Sequence, residues 1–295
     1  MSGLPTISPT LTDSRSPDMI ITQLRNATLL VEINEMAILV DPMLAPQGAI
    51  PSLKYATRTR RRNPLVGLPP TAPEILEKVT HCLITHCQKG HFDHLDRAGV
   101  KWLRERRIPV FCMQQDAAYL KNKGLVVQPI QNQSRQAFLV GRITPIPCVH
   151  GEGLIGRFMA HGFGYVMAFP GQPTLYIIGD SIFTDVIERA VETYRPDVIV
   201  MPAGGAQFDL GGEIIMGADD VSRMCALSGG VVLANHLEAL DHCPVTRAEL
   251  RARREREGLQ DQLVILEDGE SWRADIKHRR ESRPSQTHAA PLPAE

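Results

Sequence analysis

The chain has 295 residues, enough for one large domain or two small ones, and its 43% hydrophobic content suffices for a sizeable core. Its net charge of −1, from 32 basic and 33 acidic residues, gives no overall attraction to nucleic acid or anionic membranes. No apolar run is long enough to span a bilayer, and the scattered cysteines form no CxxC pair, which predicts reduced thiols and a cytoplasmic location.

Residues 1–18 are rich in Ser, Thr and Pro and lack the apolar core of a signal peptide, so a disordered leader is expected. Three strands in a meander are predicted next, over 19–24, 27–33 and 36–40, with turns between them. The third strand ends at Asp41-Pro42, a pair that is typical of a strand-ending turn.

A long insert over 44–73 contains many prolines and glycines, and loops of this length tend to be functional or disordered. It carries a group of basic side chains: Arg58, Arg60, Arg61 and Arg62. One interpretation is a lid whose arginines meet an anionic substrate group, and the other is a solvated basic loop. The sequence leaves both open.

The densest group of polar side chains follows the apolar run 83–85 and comprises His86, His91, Asp93 and His94. Imidazoles and a carboxylate in this density suit a borderline cation such as zinc, manganese or iron. The run predicts a buried strand, and Asp96 is expected to cap the helix that follows, through Arg106. The group is therefore expected on a loop at the carboxyl end of a strand, where α/β sheets place their sites.

Further along, strands and helices alternate, which predicts sheets covered by helices. Three more candidates directly follow predicted strands: His150 after 143–149, Asp180 after 174–178 and His236 after 231–234. His242 competes with His236 but does not directly end a strand. His161 could line a pocket, although no spacing argument makes it a ligand. The last strand is predicted over 263–266.

Thr85-His86 followed by His91-Phe92-Asp93-His94 resembles the Thr-His-x-His-x-Asp-His signature of the metallo-β-lactamase superfamily. His150, Gly179-Asp180-Ser181 and Asn235-His236 resemble its later motifs in the expected order. The branch that contains ascorbate-6-phosphate lactonase is the most similar in overall texture. The resemblance implies an α/β fold of the four-layer αββα sandwich type over 19–275, and 276–295 are expected to form a disordered tail.

The resemblance also implies the ligands. His86, His91 and His150 would hold a first metal, while Asp93, His94 and His236 would hold a second, with Asp180 bridging the two. Asp41 would support the site from behind. The expected cofactor is one or two Zn²⁺ ions, with Mn²⁺ or Fe²⁺ as alternatives.

The implied activity is metal-dependent hydrolysis of a lactone, ester, amide or phosphoester by a metal-bound hydroxide, which the catalytic carboxylate Asp93 would orient. The substrate would be a small molecule, and whether it carries an anionic group stays open. No nucleic acid partner is expected, and a homo-oligomer also stays open. The alternatives are a phosphodiesterase or nuclease, a di-iron redox enzyme, for which a flavin domain is lacking in the sequence, and a non-catalytic relative whose first site is degraded.

One departure from the signature bears on that last alternative. The superfamily has one residue between its first two histidines, whereas here Cys87 to Gly90 intervene. Strict spacing would put Lys89 in the first ligand position, yet a protonated lysine cannot bind a metal. We therefore expect His86 to be the ligand and the extra residues to loop out through Gly90, which tolerates positive φ.

Overall fold

The computed structural model describes residues 19–54, 60–88, 91–151, 162–209 and 212–274. The described strands form two seven-stranded sheets. The first sheet has the order β14-β1-β2-β3-β4-β5-β6 and contains β1 (Met19–Arg25), β2 (Thr28–Ile33), β3 (Met36–Val40), β4 (His81–Leu83), β5 (Pro109–Met113), β6 (Val126–Ile130) and β14 (Ser271–Ala274).

The second sheet is built from the second half of the chain in the order β13-β12-β11-β10-β9-β8-β7. Its strands are β7 (Gln136–Phe138), β8 (Gly141–Cys148), β9 (Gly162–Ala168), β10 (Leu175–Ile177), β11 (Val198–Pro202), β12 (Val231–Asn235) and β13 (Leu263–Ile265). The described helices are α1 (Ala72–Glu77), α2 (Arg97–Arg106), α3 (Gln114–Lys121), α4 (Asp185–Tyr194), α5 (Ala218–Leu227) and α6 (Arg247–Glu257).

Alternate residues of the central strands face opposite sides, and both sides are covered. In β3, Ile38 and Val40 join the core between the sheets, whereas Ala37 and Leu39 pack in the cluster that contains residues of α1, α2 and α3. In β11 the same alternation sends Val198 inward and Ile199 towards α4 and α5. These interfaces establish the predicted four-layer αββα sandwich, and they explain why the strands are apolar on both faces.

Parallel pairing places the candidate residues at one edge. β3, β4, β5 and β6 are parallel neighbours, and so are β10 to β13 in the second sheet. Loops that leave the carboxyl ends of such strands emerge together. Asp41 follows β3, the His86–His94 loop follows β4, Asp180 follows β10 and His236 follows β12. The local caps match this layout, since Asp96 accepts the N–H of Gly99 at the start of α2 as predicted.

The prediction that the chain's last strand lies near 263–266 is wrong. β14 follows it and pairs with β1 in antiparallel register, with Ile21 opposite Trp272. The pairing joins segments about 250 residues apart, so no local pattern announces it. β14 thus becomes the edge strand of the first sheet, next to β1.

The long insert is held by buried polar contacts. The buried guanidinium of Arg25 donates to the carbonyls of Met43, Ala45 and Val66. Asp241 accepts hydrogen bonds from Asn63 Nδ2 and from Ser52. Of the predicted basic group, Arg62 donates to the carbonyls of Gly48 and Ala49, so its charge supports the loop itself, while Arg58 lies outside the described residues.

In the part of the chain that the structure describes, no helix is both long and apolar enough to cross a bilayer.

Candidate metal centre

The structure brings all seven predicted ligands together in two neighbouring groups of buried side chains. The first, called the imidazole cluster here, comprises His86, His91 and His150; the second, called the mixed cluster, comprises Asp93, His94, Asp180 and His236. Within each cluster the potential ligand atoms all lie within 4.8 Å of one another. The residues come from four loops across both sheets, so the sandwich itself assembles the site.

In the imidazole cluster, His86 Nε2 lies 3.1 Å from His91 Nδ1. The Nδ1–H of His150 donates to the carbonyl of Ile214 at 2.7 Å, which leaves its Nε2 facing the centre. His86 therefore belongs to this cluster in spite of the longer gap before His91. Lys89, the alternative in strict register, lies outside the described residues, as does His161.

Asp180 joins the two clusters. Its Oδ2 lies 3.0 Å from Nε2 of His94 and 3.5 Å from Nε2 of His236. The same oxygen lies 3.7 Å from Nε2 of His150 and 4.0 Å from Nε2 of His86. Four imidazole nitrogens thus converge on one carboxylate oxygen. Gly179 permits this approach: its φ is +73°, and a Cβ there would lie 3.2 Å from the Phe163 carbonyl oxygen.

Asp93 completes the mixed cluster. Its Oδ2 lies 3.5 Å from Nε2 of both His94 and His236, and its Oδ1 lies 4.0 Å from Nδ1 of His91. Because one oxygen faces the mixed cluster and the other faces the imidazole cluster, Asp93 is a second carboxylate that borders both.

A set of buried groups behind the clusters orients the histidines. Asp41 accepts hydrogen bonds from His94 Nδ1 at 2.8 Å, from the Thr85 N–H at 2.8 Å and from Thr85 Oγ1 at 2.5 Å. The Thr85 hydroxyl also lies 3.1 Å from His86 Nδ1. Thr85 therefore contacts both His86, in the imidazole cluster, and Asp41, which holds His94. This arrangement turns Nε2 of both His86 and His94 towards Asp180.

His236 is held differently. Its Nδ1 lies 3.6 Å from Cys243 Sγ, and its backbone N–H donates to the Asn26 carbonyl. Its φ of +60° is unusual for a residue with a side chain, and such strain is typical of functional sites. Asn26 and Cys243 were not predicted as site residues. A polar turn residue and a lone thiol carry no local signal for such a role.

The histidines of the two clusters differ in the direction of their pKa shifts. Burial lowers the pKa of His91 to about 4, and burial together with the nearby His94 and His91 holds the pKa of His86 well below its usual value. Burial also lowers the pKa of His150. In the mixed cluster burial acts in the same direction, but Asp180 and the neighbouring carboxylates outweigh it and raise the pKa of His94 and His236 well above normal.

The chemistry of these side chains fits divalent cations. The three histidines of the imidazole cluster turn ring nitrogens into one buried space, and a neutral imidazole can offer the lone pair of such a nitrogen to a cation. Two buried carboxylates in the mixed cluster likewise need positive charge nearby. Borderline cations such as zinc, manganese and iron suit this combination of nitrogen and oxygen ligands.

His242 lies outside both clusters, so the choice of His236 over it agrees with the geometry. Its ring stacks on Phe208 with 6.0 Å between centroids, and its buried Nδ1 has no hydrogen-bond partner among the described residues. Burial lowers its pKa to about 4. A neutral, buried imidazole next to the mixed cluster is consistent with a packing role.

Comparison with known proteins identifies the family. No family model matches the chain. The UPF0173 protein YddR of Bacillus subtilis is 31% identical over 258 residues, covering 86% of this chain and 99% of the relative. Further relatives of lower coverage carry the name UPF0173 metal-dependent hydrolase. They do not address the finer resemblance to ascorbate-6-phosphate lactonase, which stays a prediction.

Solved structures agree. A possible metal-dependent hydrolase from Veillonella parvula superposes with a TM-score of 0.79 at 25% identity, over 87% of this chain and 99% of that one. An isothiocyanate hydrolase from Delia radicum gut bacteria gives 0.78 at 30% identity, over 87% and 100%. The fold alone is shared, at 15% identity and a TM-score of 0.59, with a protein of Bacillus subtilis described as having the metallo-β-lactamase fold. The chain therefore belongs to the UPF0173 family of metal-dependent hydrolases and has the metallo-β-lactamase fold.

Proposed function

We propose that this chain hydrolyses a small molecule with the help of two divalent cations, one held by the imidazole cluster and one by the mixed cluster. The observation that carries the proposal is the convergence of four Nε2 atoms on Asp180 Oδ2, at distances between 3.0 and 4.0 Å. A carboxylate in that position can face two cations at once and offset part of their mutual repulsion.

Divalent cations in such a site lower the pKa of coordinated water and polarise a substrate oxygen, with zinc as the ion we expect. The protein supplies the remaining functions. Asp93 is buried, yet His94 and its neighbours outweigh the burial and lower its pKa, so it is ionised at neutral pH. Its Oδ1 can therefore accept a hydrogen bond from an attacking water and orient it. Asp41 and Thr85 hold the rings of His94 and His86 in position.

The placement of His86 bears on the non-catalytic alternative. That alternative required the insertion before His91 to remove the first ligand from the site, whereas His86 lies in the imidazole cluster. We therefore favour an enzyme with both sites complete. A cytoplasmic location and self-association stay predictions from the sequence.

The site is compatible with more than one kind of reacting bond. The ligands suit lactones, esters, amides and phosphoesters alike. The similar structure described as an isothiocyanate hydrolase adds isothiocyanates to this range, and its sequence identity of 30% is higher than the 25% of the Veillonella parvula structure. Isothiocyanates and lactones should therefore be the first substrates tested.

The experiment combines metal analysis with a hydrolysis screen. Protein purified after expression with zinc, manganese or iron should contain about two metal equivalents, as the two clusters predict. It should hydrolyse at least one class among isothiocyanates, lactones, aryl esters and phosphodiesters, and chelation should abolish the activity. Protein that binds no metal under any of these conditions would overturn the proposal.

A further inference from the structure

A groove lies beside the imidazole cluster. Its walls are α2, the loop that carries His91, and the end of α3 with the residues that follow it. It encloses about 440 Å³, within the range of sites for small molecules. His91 lines it, and His91 Nδ1 is 3.1 Å from His86 Nε2. The groove and the imidazole cluster therefore share the side chain of His91, which lies between them.

The charge of the groove is strongly one-sided. Four cationic side chains line it: Arg97, Lys101, Arg104 and Lys123. The first three follow one face of α2, since they are four and three residues apart. The single lining carboxylate is Asp96. Lys101 Nζ also lies 3.8 Å from Glu105 Oε1, which is outside the lining, so four cations face two nearby carboxylates and a positive excess remains. Asp96 is already committed, because its oxygens accept the N–H groups of Gly99 and Ala45.

Apolar surface accompanies this charge. Phe92 and Val100 line the groove together with Tyr119, whose ring lies 4.5 Å from Lys123 Nζ. Basic groups beside aromatic and aliphatic surface suit an organic anion better than an inorganic one, because both parts of such a ligand find a partner.

A second cavity of similar size, also lined by described residues, has the opposite character. It encloses about 360 Å³ beside α5, and its charged lining residues are Glu213, Asp220 and Arg223. Arg223 is paired with Glu188 and stacked on Phe183. One paired cation against two carboxylates gives no site for an anion. The positive groove is thus a local feature and does not reflect the overall charge of the chain.

We propose that this groove binds an anionic group, a carboxylate or a phosphate, on the substrate of the proposed hydrolase. The inference rests on the proposed function and adds the class of substrate: an organic molecule whose hydrolysable bond reaches the metals while its anionic end lies along α2. It also offers an anion contact away from the insert, where Arg62 is engaged by its own loop. The residues of this contact are Arg97, Lys101, Arg104 and Lys123.

The test uses matched substrates that differ in charge alone. These are 4-acetoxybenzoate and its neutral amide 4-acetoxybenzamide, with 4-acetoxyphenyl phosphate to separate carboxylate from phosphate recognition. Lys101→Gln and Arg104→Gln should each raise KM for the anionic esters by about three- to fivefold, the size expected of exposed charge pairs. The neutral ester should be unaffected. Added salt should weaken only the anionic substrates.

Arg106→Gln is the matched control, because it removes one positive charge from the same helix outside the groove, where Arg106 stacks on Trp102. It should leave KM for all three esters unchanged. Equal effects of Arg104→Gln and Arg106→Gln, or equal effects on charged and neutral esters, would overturn the inference.

A binding measurement keeps the inference testable even if none of these esters is hydrolysed, which would count against the proposed function or its substrate range. Calorimetry with 4-hydroxybenzoate and 4-hydroxybenzamide should show binding of the anion alone. The Lys101→Gln/Arg104→Gln double variant should weaken that binding about tenfold, while Arg106→Gln should not. Binding that is insensitive to the double variant would refute the groove as an anion site.

Discussion

The imidazole cluster and the mixed cluster lie side by side, yet they differ in charge and in support. The first offers three histidines whose pKa values burial lowers, and it includes no carboxylate of its own. The second includes Asp93 and Asp180, and Asp41 backs its His94. Since a cation is attracted to carboxylates more strongly than to neutral imidazoles, we expect the mixed cluster to bind metal first and more tightly.

The difference shows how one fold can surround two adjacent metal sites with different amounts of buried charge. The ligands of both clusters follow the carboxyl ends of strands, so position alone does not separate them. What separates them is the number of buried charges around each. The nearby negative charges of the imidazole cluster come from Asp180 and Asp93, which are members of the mixed cluster, whereas the mixed cluster contains its own carboxylates.

Removing the shared carboxylate should have the largest effect, because it breaks both clusters at once. Asp180→Asn keeps the shape but removes the charge on which four Nε2 atoms converge. Both metals should be lost, and hydrolysis should fall by more than the roughly 10- to 100-fold cost of losing an outer partner. Metal quantification and kcat/KM would measure this. Asp185→Asn, an exposed change on α4, is the control; retention of both metals in Asp180→Asn would contradict the bridging role.

His86→Ala should separate the clusters. It removes one of the three imidazole ligands, so the protein should keep about one metal equivalent, in the mixed cluster, and lose most of its activity. Lys89→Ala and His81→Ala should keep both metals, since His81 precedes the motif and lies outside the clusters. The reverse pattern, with Lys89 required and His86 dispensable, would mean that the strict register of the motif holds.

This choice between His86 and Lys89 illustrates what the sequence could predict. Strand ends and motif order were enough to select seven residues that the structure brings together. The spacing of His86 and His91 was ambiguous, because a loop of several residues can follow many paths. Only the positions of both rings show that His86 lies with His91.

Non-local features were beyond the reach of local patterns. β14 pairs with β1 across nearly the whole chain, and Arg25, which looked like part of a turn, is buried under the insert. The groove along α2 also escaped prediction, since its charges on α2 and α3 meet only after folding. The capping role of Asp96 was predictable, because its effect is local.

Changing the support behind His94 should weaken the mixed cluster selectively. Asp41→Asn removes the charge that accepts the His94 Nδ1–H, and the new amide can donate where an acceptor is needed. Metal affinity of the mixed cluster should fall by about 10- to 100-fold, with a smaller change at the imidazole cluster. Competition with a chromogenic chelator would measure both affinities. Glu35→Gln in an exposed turn is the control, and equal losses at both clusters would show that Asp41 supports the whole edge.

Lowering the pH should reduce the metal affinity of the two clusters to different extents, and this effect should be smaller and more gradual than those of the substitutions. Without metal, His94 and His236 have raised pKa values, so they carry protons at neutral pH that a cation must displace. His91, with a pKa of about 4, has no proton to lose there. Lowering the pH from neutral should therefore weaken metal binding at the mixed cluster, by about tenfold per pH unit for each displaced proton, before it affects the imidazole cluster.

Titration calorimetry in buffers of different ionisation enthalpy counts the protons released, and the His86→Ala variant isolates the mixed cluster. Proton release by the first metal and little by the second is the expected result. The same release at both steps would mean that the carboxylates do not set the protonation of the mixed cluster.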